Sequence, residues 1–345
     1  MIDFRYHLVS IVAVFLALAV GIVLGSTELQ GHTLDVLQST SDSLRNQLAA
    51  ASAQRDSYQA QAGAADQFLQ TAAPALLHGR LTGQKVVLVT EPGAAPGMIT
   101  GLRSAAATAG ATVTGEIALQ PKFYDLSGAA QSALGTLNNS LASSSGVTLG
   151  SAADPQTASQ QQAAQLIAAA ILGKTDNSNK RGSAGAMSTA TAQHFLAAYG
   201  QEGYLAGSGD PAGRATLAVV VVPASPPPGG QDDPLNQVLL AAAPEFASAG
   251  AATVAAGTAA ASGQEGSSIA TVRSSSVTEQ VSTVDNADTT LGQISVIEAL
   301  AAQLAGGKPN SYGISGASAV SPDPLPSPIA TPSAPKPKST GKAMK

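Results

Sequence analysis

The fold of this chain is decided by the stretch KVVLVTEPG, residues 85–93, a continuous apolar run that ends in a turn signal. Strands that are buried on both faces have such unbroken runs, and parallel sheets are built from them. An Ala-rich helix is predicted from about Gly97 to Thr108, and a second strand from Thr112 to Leu119. Strand, helix and strand in this order predict a βαβ unit.

The same pattern returns in the second half of the chain. The run LAVVVV, residues 217–222, is followed by a predicted helix from Leu235 to Ser248 and a short strand at Thr253–Ala255. The fold class predicted for residues 80–316 is therefore an α/β body with a mostly parallel sheet.

Other segments of the body have weaker signals. Gly207-Ser208-Gly209 with Gly213 lacks the GxGxxG spacing, and it precedes a predicted strand, whereas a dinucleotide-binding loop follows a strand and opens a helix. Thr290 and Gln293 have the spacing of a capping box at the start of the last helix. Helices are predicted near Leu126–Ala142, Gln156–Leu172, Ser188–Tyr199 and Leu291–Leu304.

The N-terminal segment, residues 1–27, is predicted to be a transmembrane anchor. Leu8 to Gly25 contains no charged residue, and its length is close to the roughly 20 residues that cross a bilayer core. Arg5 favours a cytoplasmic N-terminus, which would place the body outside the cytoplasm. The alternative is a cleaved signal peptide, although Val23-Leu24-Gly25 is a poor cleavage site.

Residues 28–74 are predicted to form a coiled-coil stalk, because apolar residues recur there with heptad spacing. Ser41 and Arg55 interrupt the seam, and Gly31 is expected to break the helix between membrane and stalk. The alternative is an amphipathic helix that packs on its own body. The predicted interface residues are Leu34, Leu37, Leu44, Leu48, Tyr58 and Leu69.

Composition excludes several classes of function. Charged residues make up 11% of the chain, and the net charge of −5 argues against a nucleic-acid partner. Because there is no cysteine, disulfides, cysteine nucleophiles and cysteine metal sites are excluded. Residues 317–345 are rich in Pro, Ser and Lys, and a disordered tail is predicted there.

The sequence contains no recognisable catalytic motif. The body lacks a P-loop and a G-x-S-x-G elbow, and its histidines have no metal-site spacing. The chain is therefore predicted not to be an enzyme and to hold no resident cofactor.

Two weak metal candidates are Asp285 and Asp288, in a polar cluster after a predicted strand. Carboxylates at a strand end could hold a divalent cation, but Asp and Asn are also ordinary turn and capping residues. For Cu(I), the residues to examine first are Met98, Met187 and His194, which form no recognisable motif.

A family resemblance adds to these observations. The opening MIDFRYHLVSIVAVFLALAVGIVLGS, residues 1–26, resembles the actinobacterial copper transporter family, the mycobacterial copper transport protein B type. The order of anchor, coiled coil and body also resembles that family over most of residues 1–316. Further similar segments are Lys85–Thr90, Val281–Asn286, Gly307 and Tyr312-Gly313.

The resemblance implies copper export or homeostasis in the cell envelope, with copper as a transported ion. It also implies a second possibility, since some relatives are thought to act through the coiled coil on a membrane protein that regulates cell-wall hydrolysis during division. The expected partners are thus the lipid bilayer and either a second copy or another membrane protein. Both hypotheses place the body outside the cytoplasm.

Overall fold

The computed structural model describes residues 4–152, 154–173 and 187–323, with residues 325 and 328 and, within the first helix, the side chains of residues 6–25 and 37 onward. The remainder of the predicted tail, from residue 329, lies outside the described residues. The chain divides into two units, Met1–Ala65 and Asp66–Lys345, which are described separately.

The described part of the first unit consists of helix α1, which runs from Phe4 to Leu77 and so extends into the second unit. Tyr6–Gly25 is exposed throughout and is long and apolar enough to cross a membrane. The predicted break at Gly31 is wrong, because the helix continues through that residue. One glycine costs about 1 kcal/mol of helix stability, and the helix-forming residues on both sides offset it.

The second unit is built on a sheet of seven strands among its described residues. The strands are β1 (Lys85–Thr90), β2 (Thr112–Leu119), β3 (Leu205–Gly209), β4 (Leu217–Val221), β5 (Ala252–Ala256), β6 (Ser282–Val284) and β7 (Ser311–Tyr312). The sheet order is β3-β2-β1-β4-β5-β6-β7, and all neighbours are parallel except β3, which is antiparallel to β2. The predicted mostly parallel α/β body is confirmed.

Helices cover both faces of this sheet, so each central strand is apolar on both sides. The helices after α1 are α2 (Pro96–Thr108), α3 (Gly128–Ser145), α4 (Ala158–Ile171), α5 (Thr189–Gln201), α6 (Pro234–Ala249), α7 (Ala259–Ser262), α8 (Ser268–Arg273) and α9 (Thr290–Leu304). In β1, Val87 and Val89 belong to the core under α3, α4, α5, α6 and α8, whereas Val86 and Leu88 belong to the core under α2, α9 and the end of α1.

The start of α9 differs from the predicted capping box. The Thr289 hydroxyl, one residue before the predicted cap, accepts a hydrogen bond from the Gly292 N–H at 3.1 Å. The Thr290 N–H donates to Asp66 Oδ1 at 3.0 Å, so the end of α1 provides a carboxylate to the first turn of α9.

Strand β3 contains Gly207-Ser208-Gly209, a segment for which the sequence predicts no strand. Its glycines have low strand propensity, but they allow close pairing with β2. A Cβ on Gly209 would lie 2.9 Å from the Gly115 Cα, so the two backbones approach as closely as only glycine permits. Pairing, rather than local preference, makes this segment a strand.

Both ends of the predicted body also shift. Ala319 O accepts from the Gly313 N–H at 2.9 Å, and Val320 O accepts from the Ser295 hydroxyl at 2.9 Å. Residues 318–320, predicted as part of the tail, are therefore hydrogen-bonded to the body. At the other end, Leu69 and Ala73 of the predicted stalk pack against the core under α2 and α9.

Candidate functional site

Asp285 lies at the end of β6, where its carboxylate is fully buried. Arg273 Nη1 donates to Asp285 Oδ2 at 2.9 Å, and the backbone N–H groups of Ile314 and Ser315 donate to its two oxygens at 2.8 Å. Arg273 also donates to Tyr312 O at 2.8 Å. The arrangement ties β6, α8 and the segment after β7 together.

Asp288 is placed differently from Asp285. It is exposed, and its Oδ1 accepts from the Ala259 N–H at 3.1 Å, at the start of α7. Each of these weak metal candidates therefore accepts hydrogen bonds from the protein. Among the residues that the structure describes, no group of three or more His, Cys, Asp or Glu side chains could hold a metal ion.

The residues to examine first for Cu(I) are not brought together as a set. Met98 is buried in the core under α2 and α9, and Met187 packs against the core on the opposite face of the sheet. His194 is exposed on α5. A site that combined both methionine sulfurs would need them on the same side of the sheet.

Among the described residues, Glu91 is the carboxyl group whose pKa is raised most. In the sequence it is part of a turn signal. It follows β1 at the point where the strand order reverses between β1 and β4, the usual ligand position of open α/β sheets. The Glu91 N–H donates to Val221 O at 3.0 Å, and the Tyr124 hydroxyl donates to Glu91 Oε1 at 3.3 Å. Glu91 Oε2 is buried without a partner among the described residues.

Burial raises the pKa of Glu91 to about 8, because loss of water disfavours the carboxylate more than the Tyr124 hydrogen bond favours it. The same burial raises the pKa of Tyr124. Glu91 is therefore largely protonated at neutral pH, and a neutral side chain is what this dry position favours.

The titration of Glu91 predicts a pH dependence of stability. As the pH rises from about 4.5 to about 8, the unfolded chain loses this proton before the folded chain does, so the free energy of unfolding decreases. Glu91→Gln should flatten that decrease, because the amide does not titrate. At pH 8 the variant should be more stable than the parent by about 2 kcal/mol, a gain that is reduced because the amide leaves one of its hydrogen-bonding groups unpaired. Urea unfolding at pH 5 and pH 8 measures this, with the exposed Glu279→Gln as control; equal slopes for Glu91→Gln and the parent would contradict it.

The end of α1 is fixed to the body by the buried carboxyl group of Glu298. Arg80, just after the helix, forms an ion pair with Glu298 of α9 at 2.9 Å. Burial raises the pKa of Glu298 to about 7, and Arg80 opposes that rise. A cleft of about 400 Å³ lies between residues 66–77 and helices α2 and α9, beside the bond from Thr290 to Asp66.

The first unit has an apolar stripe on the surface of α1, formed by Leu37, Leu44, Leu48 and Tyr58. Each of these side chains is 59–70% exposed. A row of exposed apolar side chains is typical of a surface that binds a partner. Of the other predicted interface residues, Leu34 has no described side chain and Leu69 packs on the body. Four of the six predicted residues thus form the stripe.

Sequence reasoning missed Glu91, Tyr124, Arg273 and Glu298 as important residues. For Glu91, the available signal was a carboxylate directly after an apolar strand. Arg273 had no comparable signal, since its partner Asp285 is separated from it by 12 residues and by a turn.

Residues 1–322 match the family described as "Copper transport outer membrane protein, MctB". The match covers both units, including the apolar helix, the stripe and the α/β body.

The chain is also similar to proteins described as "Copper transporter MctB" from Mycobacterium bovis (strain ATCC BAA-935 / AF2122/97) and from Mycobacterium tuberculosis strains CDC 1551 / Oshkosh and ATCC 25618 / H37Rv. In each case 177 residues align at 32% identity, covering 51% of this chain and 54% of the relative. The alignment thus spans about half the length of these relatives.

Proposed function

Because the chain belongs to the MctB family of copper transport outer membrane proteins, a copper transport-related envelope family, we propose that it is a membrane-anchored envelope component that acts as an assembly formed through its stalk. The observation that carries this proposal is the exposed stripe Leu37, Leu44, Leu48 and Tyr58, which follows an exposed apolar helix of membrane-spanning length.

The anchor supports the envelope setting. Tyr6–Gly25 is 20 residues long, which matches the thickness of a bilayer core, and Arg5 precedes it. With the N-terminus in the cytoplasm, the α/β body would be outside. Anchoring in one bilayer also holds neighbouring copies parallel and raises their effective concentration.

The stripe supports association with a second helix. Burying a leucine side chain contributes about 1.5–3 kcal/mol, so pairing along Leu37, Leu44 and Leu48 would outweigh the cost of Ser41 and Arg55 in the seam. Polar residues at such positions fix the register of a coiled coil. We propose a second copy of this chain as the first partner, paired in parallel.

The copper-related role then belongs to the assembly, with copper as the transported ion. One helix encloses no pore, so passage of an ion through this protein would need several copies or another membrane protein. We propose no catalytic role and no resident cofactor for this chain.

The stripe can be tested with two added charges. Leu44→Asp with Leu48→Asp places two carboxylates in the seam, so chemical cross-linking in native membranes should change from dimers to monomers. A deletion strain that expresses this variant should also lose the copper tolerance that the parent chain restores.

The matched control is Asn46→Asp with Ala50→Asp, which adds the same charge at the same spacing but away from the stripe. It should keep both the dimer and the copper tolerance. If the stripe variant dimerises as well as the control does, the proposed association is wrong. If it is monomeric but still restores copper tolerance, the copper role does not depend on the assembly.

A second candidate function is that the stalk binds a membrane protein that regulates cell-wall hydrolysis during division. The same exposed stripe favours it, because a heterologous helix could cover these residues equally well. In that case cross-linking of the parent would give a heteromeric product, and the stripe variant would cause cell chaining at normal copper tolerance.

A further inference from the structure

A groove of about 680 Å³ lies on the surface of the body, far larger than a water site and within the usual size range of small-molecule sites. Four segments form it: the turn and first residues of α4 (residues 154–161), the turn with Gln231 and Asp232, the outer face of α6, and the segment from Thr271 to Gln280. All four belong to the second unit.

The lining is polar and carries no positive charge. Among its described residues are five glutamines, five serines or threonines and two aspartates, with no lysine, arginine or histidine. Phosphate and carboxylate ligands need cationic partners, whereas Asp154 and Asp232 would repel them. The donors and acceptors instead suit a neutral ligand that carries many hydroxyl groups.

Several of these groups are unoccupied within the protein. The side-chain amides of Gln156, Gln231 and Gln280 form no hydrogen bond to any described residue. All three side chains are exposed, so their amide groups can bind the hydroxyl groups of a ligand in the groove.

An apolar ridge runs through the same groove along α6. Leu240, Ala241 and Pro244 follow one another at helical spacing on the outer face. Pro244 lacks an N–H, so it cannot donate a helical hydrogen bond to the Leu240 carbonyl. A sugar ring presents C–H groups on its faces and hydroxyls at its rim, which matches an apolar strip between polar walls.

We infer that this groove binds a neutral polysaccharide chain. Binding at this groove requires neither copper nor the stalk. It rests on the proposed function only in that a body outside the cytoplasm can reach the glycans of the envelope.

The test uses the full chain in a detergent without a sugar headgroup, since a maltoside would compete for the groove. Neutral oligosaccharides of hexoses and pentoses, about four to eight sugars long, are added to the protein, and their binding is measured by saturation-transfer NMR. We expect at least one of them to bind. Gln231→Ala with Gln280→Ala should weaken that binding about tenfold, because two hydrogen bonds are lost.

The matched control is Gln193→Ala with Gln264→Ala, which removes two glutamines outside the groove and should leave the affinity unchanged. Ala241→Lys, which fills the groove from the surface of α6, should abolish binding without unfolding the body. No binding by any neutral oligosaccharide would overturn the inference, as would binding that Gln231→Ala with Gln280→Ala and Ala241→Lys both leave unchanged. Preference for a peptide over every oligosaccharide would also overturn it.

Discussion

Replacement of Asp285 by alanine is expected to destabilise the body by about 3–5 kcal/mol, because it removes one partner of a buried ion pair. Arg273, whose side chain is 11% exposed, would then have no carboxylate partner, and the N–H groups of Ile314 and Ser315 would lose their acceptor. Urea unfolding, followed by the near-ultraviolet circular dichroism of the buried tyrosines, measures this change.

The control is Asp288→Ala, at the other weak metal candidate. Asp288 is exposed and accepts one backbone hydrogen bond, so its loss should cost about 1 kcal/mol or less. Amide hydrogen exchange of residues 311–316 should accelerate in Asp285→Ala and remain unchanged in Asp288→Ala. Equal stability of the two variants would show that the Arg273–Asp285 pair does not hold this segment.

The central strands could be predicted from the sequence because burial on both faces leaves a continuous apolar run. Lys85–Thr90 is confirmed with its predicted bounds as β1, and the run from Leu217 as β4. Strands β3 and β7 could not be predicted in this way. The glycines of β3 form a strand because β2 provides the pairing, and Ser311–Tyr312 is too short to show a period.

The candidate site residues were predicted less well, for a reason of distance along the chain. The sequence marks Asp285 as a polar residue after a strand, but a cation and a buried arginine satisfy a carboxylate equally well. Only the fold brings Arg273 and the N–H groups of residues 314 and 315 to it. The stripe on α1 differs, since heptad spacing is local and a continuous helix alone places these side chains on one face. The coiled-coil interface itself stays a prediction.

Gly292→Ala is expected to destabilise the body by about 3 kcal/mol or more, because there is no room for a methyl group in the first turn of α9. A Cβ at this position would overlap the carbonyl oxygen of Asn286. That oxygen cannot easily move, since it accepts from the Thr289 N–H at 3.0 Å and from the Thr289 hydroxyl at 2.8 Å. The substitution should therefore shift α9 or disrupt its cap.

The control for Gly292→Ala is the same substitution in another helix. At Gly63 a Cβ would meet no atom within 4 Å, so Gly63→Ala should stabilise α1 by about 0.5–1 kcal/mol through its higher helix propensity. Because Gly63 lies in the first unit, the tyrosine signal of the body should be unchanged in this variant. If the two substitutions change the free energy of unfolding with opposite signs, close backbone approach is distinguished from helix propensity. If Gly292→Ala is instead stabilising, the turn at Asn286 can move to make room for the methyl group.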